Sequence, residues 1–118
     1  MRISTTFRII PLLLCLVMGE AQAHAFLDRA EPRVGNKVAT PPRDLTLYFT
    51  QKLEAAFSSV TVTGPSGARV DTGKARVSGS QMSVPLKSGG AGTYRVNWHV
   101  LSVDTHTTDG NFTFQVGP

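Results

Sequence analysis

The run Tyr94-Arg95-Val96-Asn97-Trp98-His99-Val100-Leu101 decides the fold. Tyr94, Val96, Trp98 and Val100 alternate with Arg95, Asn97, His99 and Leu101, and a period of two sends the first set to one face of an extended chain. The run is therefore a strand with an apolar inner face. Trp98 is its largest side chain and the expected centre of the core, since burying a ring of that size is worth a few kcal/mol at about 25 cal/mol per Å². His99 falls on the solvent side.

The same period recurs on both flanks. Downstream, a loop over residues 102–110, with Asp109-Gly110 as its turn signal, leads to Phe112, Phe114 and Val116, which alternate to close the sheet. Upstream, Met82, Val84 and Leu86 alternate, with Pro85 marking a strand end or edge where a missing N–H does least harm. Val60 and Val62 share a face, and Leu45, Leu47 and Phe49 alternate with Thr46, Tyr48 and Thr50. Residues 25–30 read as a first strand, 51–56 as one helical turn crossing between layers, and 69–78 as one or two short strands interrupted at Thr72-Gly73. Gly35-Asn36, Pro41-Pro42, Gly64-Pro65-Ser66-Gly67 and Ser88-Gly89-Gly90-Ala91-Gly92 supply the breaks. Seven or so short strands with almost no helix make an all-β, immunoglobulin-like two-sheet sandwich the natural packing.

The N-terminal residues belong to a different kind of segment. Arg2 and Arg8 precede an apolar run over 9–18 that is too short to span a bilayer, and Ala21-x-Ala23 is a small-residue cleavage pattern. Residues 1–23 are expected to be a cleaved export signal, leaving 24–118 as one domain with a single core. Removing Arg2, Arg8 and Glu20 from 12 basic and 8 acidic residues leaves 10 and 7, a mild net charge of +3. The basic residues are scattered without a run, which speaks against a nucleic-acid surface. Cys15 leaves with the signal, so a disulfide, a thiolate zinc site and a blue-copper ligand set are all excluded from the remainder. Met82 is the only methionine left, too few for a thioether cluster.

Cutting after Ala23 makes His24 the first residue. Its free amine and its Nδ1 can then close a six-membered chelate on a metal, which no internal histidine can do. The other histidines are His99 and His106, and His106 stands two residues after Asp104. If the chain is extended there, the two side chains project to one side with Cα atoms roughly 7 Å apart. On its own, Asp-x-His reads as well as a carboxylate capping a loop beside a solvated histidine. In one exported domain with a free N-terminal histidine and no soft ligands, it points to a metal. An amine, two imidazoles and a carboxylate form the set that tetragonal Cu(II) favours, with Ni²⁺ and Zn²⁺ as competitors. No G-x-S-x-G elbow, paired catalytic acids or phosphate-binding glycine loop is present.

The pattern Gly92-Thr93-Tyr94-x-Val96-x-Trp98-x-x-x-Ser102-x-Asp104-Thr105-His106-x-x-x-Gly110, with His24 after an Ala-x-Ala cut and Glu31-Pro32 soon after it, resembles the CopC family of exported copper-binding proteins. The resemblance implies a Greek-key β-barrel or sandwich in the periplasm. It also implies a Cu(II) site built from His24, Asp104 and His106, a role in copper handling or resistance, and an inner-membrane copper-transport protein as partner. Two departures stand out: the stretch 64–82 has one methionine and no histidine where some members carry a Cu(I)-binding loop rich in both, and Gln51 stands where some place a glutamate. His99 occupies a position where arginine is common in the family.

The expectation is thus a soluble, monomeric, non-enzymatic protein of the periplasm that binds one Cu(II) per chain for sequestration, trafficking or resistance and binds no nucleic acid. Two other classes compete with it. A small copper monooxygenase built on a histidine brace would need an open coordination position and a broad substrate face. A structural sandwich domain would bind a protein partner through a sheet edge.

Overall fold

The structure, a computed structural model, describes residues 25–118. Eight strands follow in order: β1 (Leu27–Glu31), β2 (Lys37–Val38), β3 (Asp44–Phe49), β4 (Ser59–Thr63), β5 (Arg76–Ser78), β6 (Gln81–Pro85), β7 (Gly92–Leu101) and β8 (Thr107–Val116). They form two four-stranded sheets, ordered β1-β3-β6-β5 and β2-β8-β7-β4. The pairings are antiparallel apart from the two-residue β2, which runs parallel to the end of β8. A 3-10 turn, Ala55–Phe57, carries the chain from β3 of one sheet to β4 of the other.

Each sheet turns its alternating apolar residues inward. Leu45 and Leu47 of β3 and Met82 and Val84 of β6 meet Val62 of β4, Val96 and Val100 of β7 and Phe114 of β8, all of them fully buried. The two-sheet sandwich expected from the alternation is what forms, with eight strands where about seven were expected. Strand β2 escaped notice because two residues cannot display a period.

Three expectations need correction. Trp98 lies on the inner face but is only partly buried, its ring set edge-on to Phe49 at 5.1 Å. The centre is instead the stacked pair Tyr94 and Phe114, 5.1 Å apart, and the Tyr94 hydroxyl accepts from Gly89 N–H at 2.9 Å and donates to the Gly90 carbonyl at 2.7 Å. The loop after β7 is also shorter than residues 102–110, because β8 already begins at Thr107. Asp109-Gly110 is not a turn: both residues sit in β8, opposite His99 and Trp98. Gly110 is there because the indole lies over it, and a Cβ at that position would come within 2.5 Å of Trp98 Cζ2. Within 69–78, Arg69 and Asp71 make only single bridges, to Thr63 and Leu86, before β5 begins. Among the described residues no helix is long and apolar enough to cross a membrane.

Candidate metal centre

The tip of the β7–β8 hairpin is a tight loop closed by its own backbone. Leu101 and Thr107 form the last strand pair, Ser102 N–H donates to the His106 carbonyl at 3.0 Å, and Thr105 N–H donates to the Ser102 carbonyl at 2.9 Å. Thr105 turns the corner at φ 72°, in the left-handed region that costs a β-branched residue about 1–3 kcal/mol. The loop is stapled to the segment after β3: Val103 N–H donates to the Lys52 carbonyl at 3.0 Å and Glu54 N–H to that of Leu101 at 2.8 Å.

This turn holds Asp104 and His106 side by side. Asp104 Oδ1 lies 3.5 Å from His106 Nδ1, with the side chains 40% and 46% exposed. The backbone is a turn and not the extended Asp-x-His expected, and it still sets the two side chains side by side. Donors in neighbouring positions on one metal stand roughly 3 Å apart when each bond is about 2.0 Å. The pair fits a cation with little adjustment.

Ser102 orients the carboxylate. It is fully buried, and its hydroxyl donates to Asp104 Oδ1. That bond, with a smaller contribution from His106, holds the Asp104 carboxyl below the usual carboxylate range, against partial desolvation that acts the other way. Asp104 thus stays ionised and keeps open lone pairs toward solvent. Ser102 was missed as a functional residue, although a signal existed: it continues the inward series Tyr94, Val96, Trp98, Val100, where a polar side chain needs an internal partner.

The start of the described chain is fastened to the same end of the sandwich. Thr108 Oγ1, two residues beyond His106, donates to the Ala25 carbonyl at 2.6 Å, and Ala25 is fully buried. Phe26 N–H donates to Thr50 Oγ1 and Thr50 N–H to the Phe26 carbonyl, each at 2.9 Å. His24 and the expected signal, residues 1–23, lie outside the described residues. Among those described, no three His, Cys, Asp or Glu side chains gather at one point. His99 is exposed on the outer face as expected, with Nδ1 3.9 Å from Asp109 Oδ2 across the strand pair. It faces away from the sheet's buried side, whereas Asp104 and His106 sit at its end.

A protein-family model described as the CopC domain matches residues 27–117, nearly all that the structure describes. The chain belongs to the CopC family. Protein YobA of Escherichia coli (strain K12) is 38% identical over 105 residues, covering 86% of this chain and 85% of that one. Among solved structures, CopC from Methylosinus trichosporium OB3b superposes with a TM-score of 0.74 at 30% identity, over 80% of this chain and 95% of that chain. PcoC, a methionine-rich copper resistance protein from Escherichia coli, does so with a TM-score of 0.68 at 32% identity, over 79% and 98%. The CopC family is one of copper-binding resistance proteins and not of enzymes, which answers the monooxygenase alternative.

Proposed function

We propose that this CopC-family chain is exported, cut after Ala23, and carries one Cu(II) in the periplasm on the amine and imidazole of His24, the carboxylate of Asp104 and the imidazole of His106. It sequesters the ion or passes it to a membrane copper-transport protein. The observation that carries the reading is the hairpin tip: an ionised carboxylate and an imidazole 3.5 Å apart, oriented by a buried serine and accessible to solvent. His24 is bonded to Ala25, which Thr108 fastens beside that tip. The amine and imidazole of His24 would supply two more nitrogen donors.

Cu(II) is favoured over Cu(I) by what surrounds the site. Met82, the sole thioether beyond residue 23, is fully buried between Leu47 and Val77 in the strand pairings and cannot reach a surface ion. The donors that remain are nitrogen and oxygen, a poor match for Cu(I) and a good one for Cu(II). Metal binding also competes with protons on the amine and imidazoles, so affinity falls as pH drops below neutral. The test is Cu(II) titration of protein whose first residue has been confirmed as His24 by mass spectrometry. One equivalent bound tightly, with nitrogen hyperfine structure in the electron paramagnetic resonance spectrum, is the expected result. Binding no tighter than that of a variant lacking both Asp104 and His106 would overturn it.

A further inference from the structure

Strand β4 is the edge of its sheet, and only half of that edge is closed. Val62 N–H donates to Asp71 Oδ1 at 2.8 Å, its carbonyl accepts from Val70 N–H at 2.9 Å, and Thr63 bridges to Arg69. Both backbone groups of Val62 thus point away from β7. The β4–β7 register is unbroken, so the period-two alternation turns the N–H and C=O of Val60 the same way. At Val60 the covering segment has already departed, because Asp71 bridges to Leu86, one residue past the end of β6 in the other sheet. What remains between β4 and the residues before β5 is an open groove of about 630 Å³.

The groove has an apolar wall and a basic rim. Ala55, Ala56, Val60 and Ala75 supply the first, Arg69 and Lys74 the second. The one carboxylate in the lining, Asp71, is already taken by Arg69 through two hydrogen bonds of 2.8 and 2.7 Å. Lys74 is in no ion pair among the described residues. A second copy of this chain is a poor occupant, since it would bring a second Lys74 and no free carboxylate to the groove.

We propose that this groove takes an extended, acidic polypeptide segment of a partner protein, which adds to β4 as a short edge strand through the backbone of Val60 and sets a carboxylate against Lys74. The site is separate from the hairpin tip, so copper and partner segment are bound at different places on one molecule.

The test uses the isotope-labelled protein and two blocked heptapeptides, one alternating Glu with Val and the other Lys with Val. The Glu peptide should shift the amide resonances of Ser59, Val60, Thr61 and residues 73–75, and the Lys peptide should not. Lys74→Glu should weaken the Glu peptide by about five-fold or more, leaving Cu(II) binding unchanged. Val60→Pro removes the edge donor and should abolish the shifts; if that variant does not fold, Lys74→Glu carries the test alone. Equal binding of the two peptides, shifts that avoid β4, or indifference to Lys74→Glu would overturn the proposal. So would concentration-dependent shifts at Val60 without peptide, which would assign the groove to a second copy.

Discussion

Asp71 and Asp104 are both held below the usual carboxylate range, but by different surroundings. Asp71 is 5% exposed and saturated by protein: two bonds from Arg69 and one from the Val62 amide occupy its oxygens, and these outweigh its burial. Asp104 is 40% exposed and has one strong neighbour, the Ser102 hydroxyl, with His106 near enough to help but not to saturate it. A carboxylate whose lone pairs are filled from within serves the fold. One that is kept ionised yet left facing outward beside an imidazole is available to a cation. The difference predicts that the two residues can be separated by experiment: copper should depend on one and stability on the other.

The largest effect should come from the nitrogen donors that would complete the set around Asp104. One residue added before His24 turns its amine into an amide and breaks the chelate while leaving every side chain in place. Cu(II) affinity should drop on the order of 100-fold or more, with an unchanged melting curve. His106→Ala should cost a comparable factor. Equal affinity of the extended and processed forms, measured by competition with a Cu(II) chelator, would show that Asp104 does not act with His24.

Next comes the exchange of roles. Asp104→Ala should weaken Cu(II) by about 10- to 100-fold and change stability by less than about 1 kcal/mol, since the Ser102 hydroxyl can turn to the His106 carbonyl, 3.2 Å away. Asp71→Ala should do the opposite. It leaves the Val62 N–H without an acceptor and frees Arg69, a loss of about 1–3 kcal/mol in chemical denaturation, with Cu(II) affinity unchanged. Ser102→Ala removes the orienting bond to Asp104 together with the weaker one to the His106 carbonyl, and should cost about ten-fold in Cu(II) affinity. A Ser102→Ala protein that binds copper like the wild type would mean that Asp104 needs no internal partner.

Much of this was legible in the sequence, for a definite reason. Antiparallel strands buried on one face print their period directly, so Leu45, Leu47 and Phe49, or Phe112, Phe114 and Val116, identify both the strand and its inner side. Alternation reports the face and not the depth, which is why Trp98 was placed at the centre while Tyr94 was read only as one of the inward-facing residues. It also says nothing of what lies across the sheet. Gly110 looked like a turn because glycine has two uses, and the indole above it became visible only with the partner strand in place. Asp104 and His106 were expected to act together from spacing and company, but the corner at Thr105 sits in a loop stapled to Lys52 and Glu54, about fifty residues away in sequence and unreadable locally. Asp71 drew no notice at all, since its value lies in the Val62 amide that the sandwich brings beside it.

The smallest predicted difference appears in acid, and its sign follows from the direction of each shift. A carboxyl whose folded pKa is depressed contributes stability that is complete above its unfolded value, about 3.9 for aspartate, and lost as pH falls through the lower folded value. For Asp71 the causes are the Arg69 hydrogen bond first and the Val62 amide besides, opposed by burial. Arg69, whose own pKa is raised by the same pair, stays charged throughout that range and adds no slope. Wild-type stability should therefore fall below about pH 4, and Asp71→Asn should remove up to one proton from that limb, about 1.4 kcal/mol per pH unit, while retaining an acceptor for Val62. Asp104→Asn should change the limb less, because water replaces most of what the folded state offers an exposed carboxylate. Urea denaturation of the metal-free protein from pH 6 to pH 2 reads both variants. A larger change in slope for Asp104→Asn than for Asp71→Asn would reverse the assignment, making the hairpin tip the structural carboxylate and the edge clamp the dispensable one.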